Sequence, residues 1–193
     1  ILGTGNASMW GTHGGSALSA IGGTIRKGEL NTSAPPIAHA LKLELNGTYY
    51  YYGGSHTSCY RWPAIKCDSS AATHYIGSDP NIVMGTLLAV PPLAYATLLQ
   101  SISSPPARRI LQALTDYGGY IVDNTADNRG ALCAEWGLSD ELEDQFGTNN
   151  YSLNISPCAS GKLTMVGCVC VSPPQVSALV PSSRRTRPGR TAR

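Results

Sequence analysis

A chain of 193 residues with 42% hydrophobic content buries roughly 70% of the surface it exposes when unfolded, enough for one sizeable core and too little for two. Charged residues make up only 13%, while 21 glycines and 13 prolines give the profile of a turn-rich β protein. Five of the fourteen basic residues are Arg184, Arg185, Arg187, Arg190 and Arg193; the body keeps nine basic against twelve acidic groups, a net charge of about −3 that argues against nucleic acid as its partner.

In chain order, the first regular element is predicted from Ile37 to Leu45, where Ile37, Leu41, Leu43 and Leu45 alternate with Ala38, Ala40, Lys42 and Glu44, the period of a half-buried strand. His39 falls on its apolar side. Asn46-Gly47 then reads as a hairpin turn, with Tyr49 to Tyr52 returning as a second, aromatic strand. The stretch from Pro80 to Ala107 carries no charge, but Pro91-Pro92 divides it and Thr, Ser, Gln and Tyr interrupt it. A buried strand followed by a loop is expected there, not a membrane span.

The clearest helix is predicted from about 105 to 117: Ser103 or Ser104 caps it, prolines open its first turn, and Ile110, Leu111, Leu114 and Tyr117 share one face. Gly118 ends it. Tyr120-Ile121-Val122 reads as a buried strand and Asp123 to Asn128 as a polar turn. Ala131 to Trp136 is extended, Ser139 to Phe146 is a short acidic helix, and Lys162 to Val171 is a last strand. The expected fold is mainly β, a β-sandwich or jelly-roll with one main helix near 105–117, with α+β as the alternative. Residues 1–171 are read as a single domain and 172–193 as a Pro/Arg-rich C-terminal arm.

Six cysteines, Cys59, Cys67, Cys133, Cys158, Cys168 and Cys170, suggest a disulfide framework; Cys59 and Cys67 are placed to close a local loop, and the remaining connectivity is open. The cysteine spacings fit no zinc motif and the four histidines are scattered, so neither metal nor cofactor is expected. Nine asparagines with about 18% Ser plus Thr predict roughly 1.6 chance sequons, yet five are present, at Asn6, Asn31, Asn46, Asn150 and Asn154. Both observations point to a secreted, extracellular glycoprotein. Ile1 follows no n-region or cleavage site, so a signal peptide is expected to have been removed or to lie further upstream.

A series of short motifs carries a resemblance. Gly22-Gly23-Thr24-Ile25-Arg26 with Gly28-Glu29-Leu30, His39-Ala40-Leu41-Lys42, Tyr60-Arg61-Trp62-Pro63-Ala64 with Asp68, Met84-Gly85, and Ala113-Leu114 leading to Asp116-Tyr117-Gly118 and Tyr120-Ile121-Val122-Asp123 together resemble a domain of large secreted proteins of bacteria and microbial eukaryotes. The resemblance covers roughly Gly14 to Gly137. It implies an extracellular setting and no established reaction.

Glu29, His39, Arg61, Asp68, Asp123 and Asp127 are the candidate catalytic residues. Two carboxylates among them suit glycoside hydrolysis, and a histidine beside an arginine that neutralises a uronate suits polysaccharide elimination. Each also has an ordinary structural explanation: a hydrogen-bonded core histidine, a turn-bracing aspartate, an Arg61–Asp68 pair. Two functions follow. The favoured one is a structural or assembly subunit of a fibril, wall or matrix, with the arm joining copies into an oligomer or filament. The alternative is a carbohydrate-active enzyme or a carbohydrate-binding module with polysaccharide as its partner.

Overall fold

The computed structural model describes residues 13–53, 58–126 and 130–146, together with the backbone of two further strands, Leu153–Asn154 and Val166–Val171. In chain order the elements are β1 (Leu41–Leu45), α1 (Ala71–His74), β2 (Leu87–Leu88), α2 (Pro92–Ser101), α3 (Pro105–Asp116), β3 (Gly119–Asn124), β4 (Gly130–Glu135), α4 (Leu138–Phe146), β5 (Leu153–Asn154) and β6 (Val166–Val171). The strands form one mixed sheet in the order β2-β3-β1-β4-β6-β5. β1 runs parallel to β3 and antiparallel to β4, which pairs antiparallel with β6. One sheet with helices against it is α+β, so the expected sandwich or jelly-roll is corrected to the alternative.

The two faces of the sheet are separate environments. Leu41, Leu43 and Leu45 of β1, Ile121 of β3, and Leu132 and Ala134 of β4 join the main core with Ile110, Leu111, Ala113 and Leu114 of α3 and Leu138 and Leu142 of α4. On the other face Val122, Ala131 and Cys133 pack with Leu18 in a second, smaller cluster. β1 is central and all five of its residues are buried. Its alternation therefore marks two buried faces, one apolar and one polar, and not a core face against water as its sequence suggested.

The main helix matches its sequence signals. Ser104 Oγ accepts from the Ala107 N–H at 3.5 Å, prolines fill the first turn, and Tyr117 caps the C-terminus. Gly118 follows at φ 72°, where a Cβ would meet Leu88 O at 2.7 Å, so both conformation and space require glycine.

Two elements differ from expectation. Tyr49 to Tyr52 do not return as a strand: Tyr49 and Tyr50 donate backbone N–H groups back to Asn46 O, and Tyr52 forms an isolated bridge to Gly77 and donates its N–H to Ile82 O at 2.9 Å. Tyr51 instead buries its ring and uses its hydroxyl to hold the chain, accepting from Leu45 N at 2.9 Å and donating to Asp123 O at 2.5 Å. The segment expected to be a loop after the buried strand is helix α2, opened by Pro92. Among the described residues no helix is long and apolar enough to cross a membrane.

Cys59 and Cys67 form a disulfide, as their spacing suggested. A loop this short contributes on the order of 2–3 kcal/mol by restricting the unfolded chain. Cys133 is a buried, free thiol among the described residues, and Cys168, whose side chain lies outside them, is its register partner in the β4–β6 ladder. The side chains of Cys158, Cys168 and Cys170, the sequons at Asn6 and Asn150, and the arm 172–193 lie outside the described residues, as does the side chain of Asn154. Asn31 sits in a turn, where its Oδ1 accepts from Ser33 N and Oγ. Asn46, expected at an exposed turn, is only 7% exposed and donates its amide to Thr125 O at 3.3 Å.

Candidate functional site

The polar face of β1 carries a cluster of ionisable groups, and the sheet register assembles it. β1 and β3 pair Lys42 with Tyr120 and Leu43 with Ile121, then shift so that Glu44 meets Asp123. This bulge brings two carboxylates on neighbouring parallel strands to one place. In the antiparallel ladder with β4, Leu43 opposes Leu132 and Glu44 opposes Ala131, so Cys133 lies on the same face as Lys42 and Glu44.

The turn from His13 to Leu18 closes over this face, held by His13 N–H to Leu18 O at 2.8 Å and Ala17 N–H to His13 O at 3.0 Å. Gly15 lets it approach. A Cβ there would stand 2.8 Å from both Asp123 Oδ1 and Met84 Cε, and the Gly15 N–H donates to Asp123 Oδ1 at 3.2 Å. The turn thereby delivers His13, whose Nδ1 lies 3.8 Å from Glu44 Oε1 and 3.6 Å from Asp123 Oδ2. His13 Nε2 lies 3.9 Å from Cys133 Sγ, and the thiol donates to Glu44 Oε1 at 3.2 Å. Lys42 turns its ammonium to the carbonyls of Ala20 and Ser19.

Burial governs the charges. It pushes the Glu44 carboxyl above the usual carboxylate range, the Cys133 thiol well up, and the Lys42 ammonium down. Asp68 also approaches Gly15: the same Cβ position is 3.3 Å from its Oδ1, so Asp68 Oδ1 and Asp123 Oδ1 are no more than about 6 Å apart. Tyr75 donates to Asp68 Oδ2 at 2.5 Å. Burial raises the Asp68 pKa against the pull of that hydrogen bond, and Asp123 adds to the rise.

The six sequence candidates thus separate. Asp68 and Asp123 come together at the cluster. Glu29 and His39 form their own pair, with His39 Nε2 3.2 Å from either Glu29 oxygen, pinned by Arg26 N–H to Glu29 Oε2 at 2.8 Å and Arg109 Nε–H to Glu29 O at 2.7 Å. These bonds tie the 26–29 turn to α3, a bracing role. Arg61 is exposed and makes no ion pair with Asp68 among the described residues; Asp127 lies outside them.

Sequence reasoning missed His13, Lys42, Glu44, Cys133 and Tyr75. Lys42 and Glu44 looked like the wet side of a strand, and Cys133 like half of a disulfide. The signal that would have found them is the central position of β1, which depends on pairings made more than seventy residues away.

A second feature lies on α2. The helix carries no charge, its sequence is largely apolar, and none of its residues is buried. Ala94, Tyr95, Leu98 and Leu99 are partly covered by the core, while Leu93 is 95% exposed. Leu87 and Tyr117 are also exposed, and Leu87 lies against Gly118, next to Tyr117. No protein-family model, curated protein or solved structure matches this chain.

Proposed function

We propose that this chain is a secreted, disulfide-bonded and N-glycosylated building block of an extracellular fibril, wall or matrix, and that it associates with its own copies through α2. The observation that carries the reading is that α2 is uncharged and has no buried residue, with Leu93 95% exposed and Tyr95, Leu98 and Leu99 only partly covered by the core. Water-exposed apolar surface of this kind is costly and marks interaction sites. A second copy of α2 suits this face, since two faces without charge meet without leaving a buried ion unpaired. The buried Cys59–Cys67 bridge supports an oxidising compartment. Sedimentation velocity of the wild-type protein and Leu93→Glu tests the reading. The wild type sediments as a concentration-dependent oligomer and the variant as a smaller species; identical behaviour of the two overturns it.

One observation favours a second reading, a carbohydrate-active enzyme. Asp68 and Asp123 lie within about 6 Å of each other, a bound that admits the carboxylate separation of retaining glycosidases, about 5–5.5 Å. Asp68, with its pKa raised, suits the acid, and Asp123 the nucleophile. Release of reducing ends from acidic polysaccharides that disappears in Asp123→Asn would establish it. Absence of turnover across such a panel leaves the structural reading.

A further inference from the structure

We infer that His13, Glu44 and Cys133 form a binding site for a divalent transition metal of the zinc class, with Asp123 beside it as fourth donor or as the partner that orients His13. One ligand atom from each of the three residues lies within 4.8 Å of the others. Ligands of a tetrahedral ion held at about 2.0–2.3 Å stand roughly 3.3–3.8 Å apart. Cys133 Sγ and Glu44 Oε1 stand 3.2 Å apart, and His13 offers either Nδ1, 3.8 Å from Glu44 Oε1, or Nε2, 3.9 Å from Cys133 Sγ; an ion takes one of these nitrogens, and the remaining separation, at most 4.8 Å, closes by about 1 Å on binding.

The donor set is specific. Imidazole nitrogen, carboxylate oxygen and thiolate sulfur together suit zinc and its neighbours, whereas magnesium and calcium take oxygen donors alone. The three residues come from the 13–18 turn, β1 and β4, and are 89 and 120 positions apart in their hydrogen-bonded pairs. Only the folded sheet gathers them. Asp123 is held by Gly15 N–H and Asn124 N–H on Oδ1 while Oδ2 faces His13, the arrangement by which a carboxylate fixes a ligating imidazole. Charge balances as well. Thiolate and Glu44 bring two negative charges to a dication, and the Lys42 ammonium is already held by two carbonyls and does not occupy the site.

Binding breaks the Cys133 S–H bond, forms a metal–sulfur bond and passes the proton to solvent. Because the site lies on β1, β4 and the 13–18 turn, it is independent of the α2 reading: Leu93→Glu binds metal like the wild type whether or not it assembles.

The test uses the intact protein, stripped with chelator, dialysed and titrated with Zn²⁺ by calorimetry and with Co²⁺ by absorption. One equivalent of Zn²⁺ binds, and Co²⁺ gives a near-ultraviolet thiolate-to-metal band. Cys133→Ser loses that band, and His13→Gln, a change in the covering turn that leaves the sheet intact, weakens Zn²⁺ at least tenfold. Asp123→Asn costs about 10–100-fold. A wild-type protein that binds no stoichiometric Zn²⁺, a Co²⁺ spectrum without a thiolate band, or undiminished affinity in His13→Gln overturns the site. Should Cys133→Ser fail to fold, the wild-type Co²⁺ band decides alone.

Discussion

Asn46 illustrates how a residue's role is set by what the chain around it does. Its sequon sits in an Asn-Gly turn, the context in which a glycan is easiest to picture, yet the side chain is packed and its amide donates to Thr125 O. A glycan on Nδ2 would remove that donor and require the space to open. Peptide mapping of protein from a glycosylating host is therefore expected to find Asn46 unmodified and Asn31, in its open turn, modified. Gly15 is a second such position. Gly15→Ala places a methyl 2.8 Å from Asp123 Oδ1 and Met84 Cε and is expected to cost about 1–3 kcal/mol in denaturant unfolding.

Asp68 sets a pH dependence of defined sign. Its folded-state pKa is raised, chiefly by burial, so its contribution to stability is present below the unfolded pKa and is lost as pH rises through the folded one. Asp68→Asn keeps an acceptor for Tyr75 and cannot ionise. Thermal melts should place the variant close to the wild type near pH 4 and above it near pH 7. A difference constant with pH would contradict the assignment.

At the scale of elements, α3 was legible because its signals are local: a capping serine, prolines in the first turn, apolar residues at helical spacing and a terminal glycine. Ser104→Ala is expected to cost about 0.5–1 kcal/mol, at the low end because the cap bond is 3.5 Å long. β1 was legible as a strand, but not in its environment. Whether Lys42 and Glu44 meet water or protein depends on β3, β4 and the 13–18 turn, and no local pattern records those pairings. α2 was misread for a related reason. An uncharged apolar run broken by Pro91-Pro92 is compatible with either strand or helix, and the proline pair that looked like a break is the start of the helix.

For the whole molecule, the composition that suggested an all-β sandwich reflects the long irregular connections between 13 and 86, where glycine and proline turns and the disulfide hold the chain against the sheet. The sheet itself is assembled from strands far apart in sequence, which composition does not report. Assembly is expected to use two links, α2 against α2 and the C-terminal arm against a neighbour. A paired face alone closes into a dimer, and only a second, head-to-tail contact extends it. Removing residues 172–193 should therefore leave dimers, and combining that truncation with Leu93→Glu should leave monomers, as read by size-exclusion chromatography.

Self-association is most directly tested by light scattering on the unmodified protein over a hundredfold dilution. The measured mass is predicted to be a multiple of the 20.3 kDa chain, increased by its glycans, at high concentration and to fall towards the single chain on dilution. A mass that stays at one chain throughout would contradict the reading.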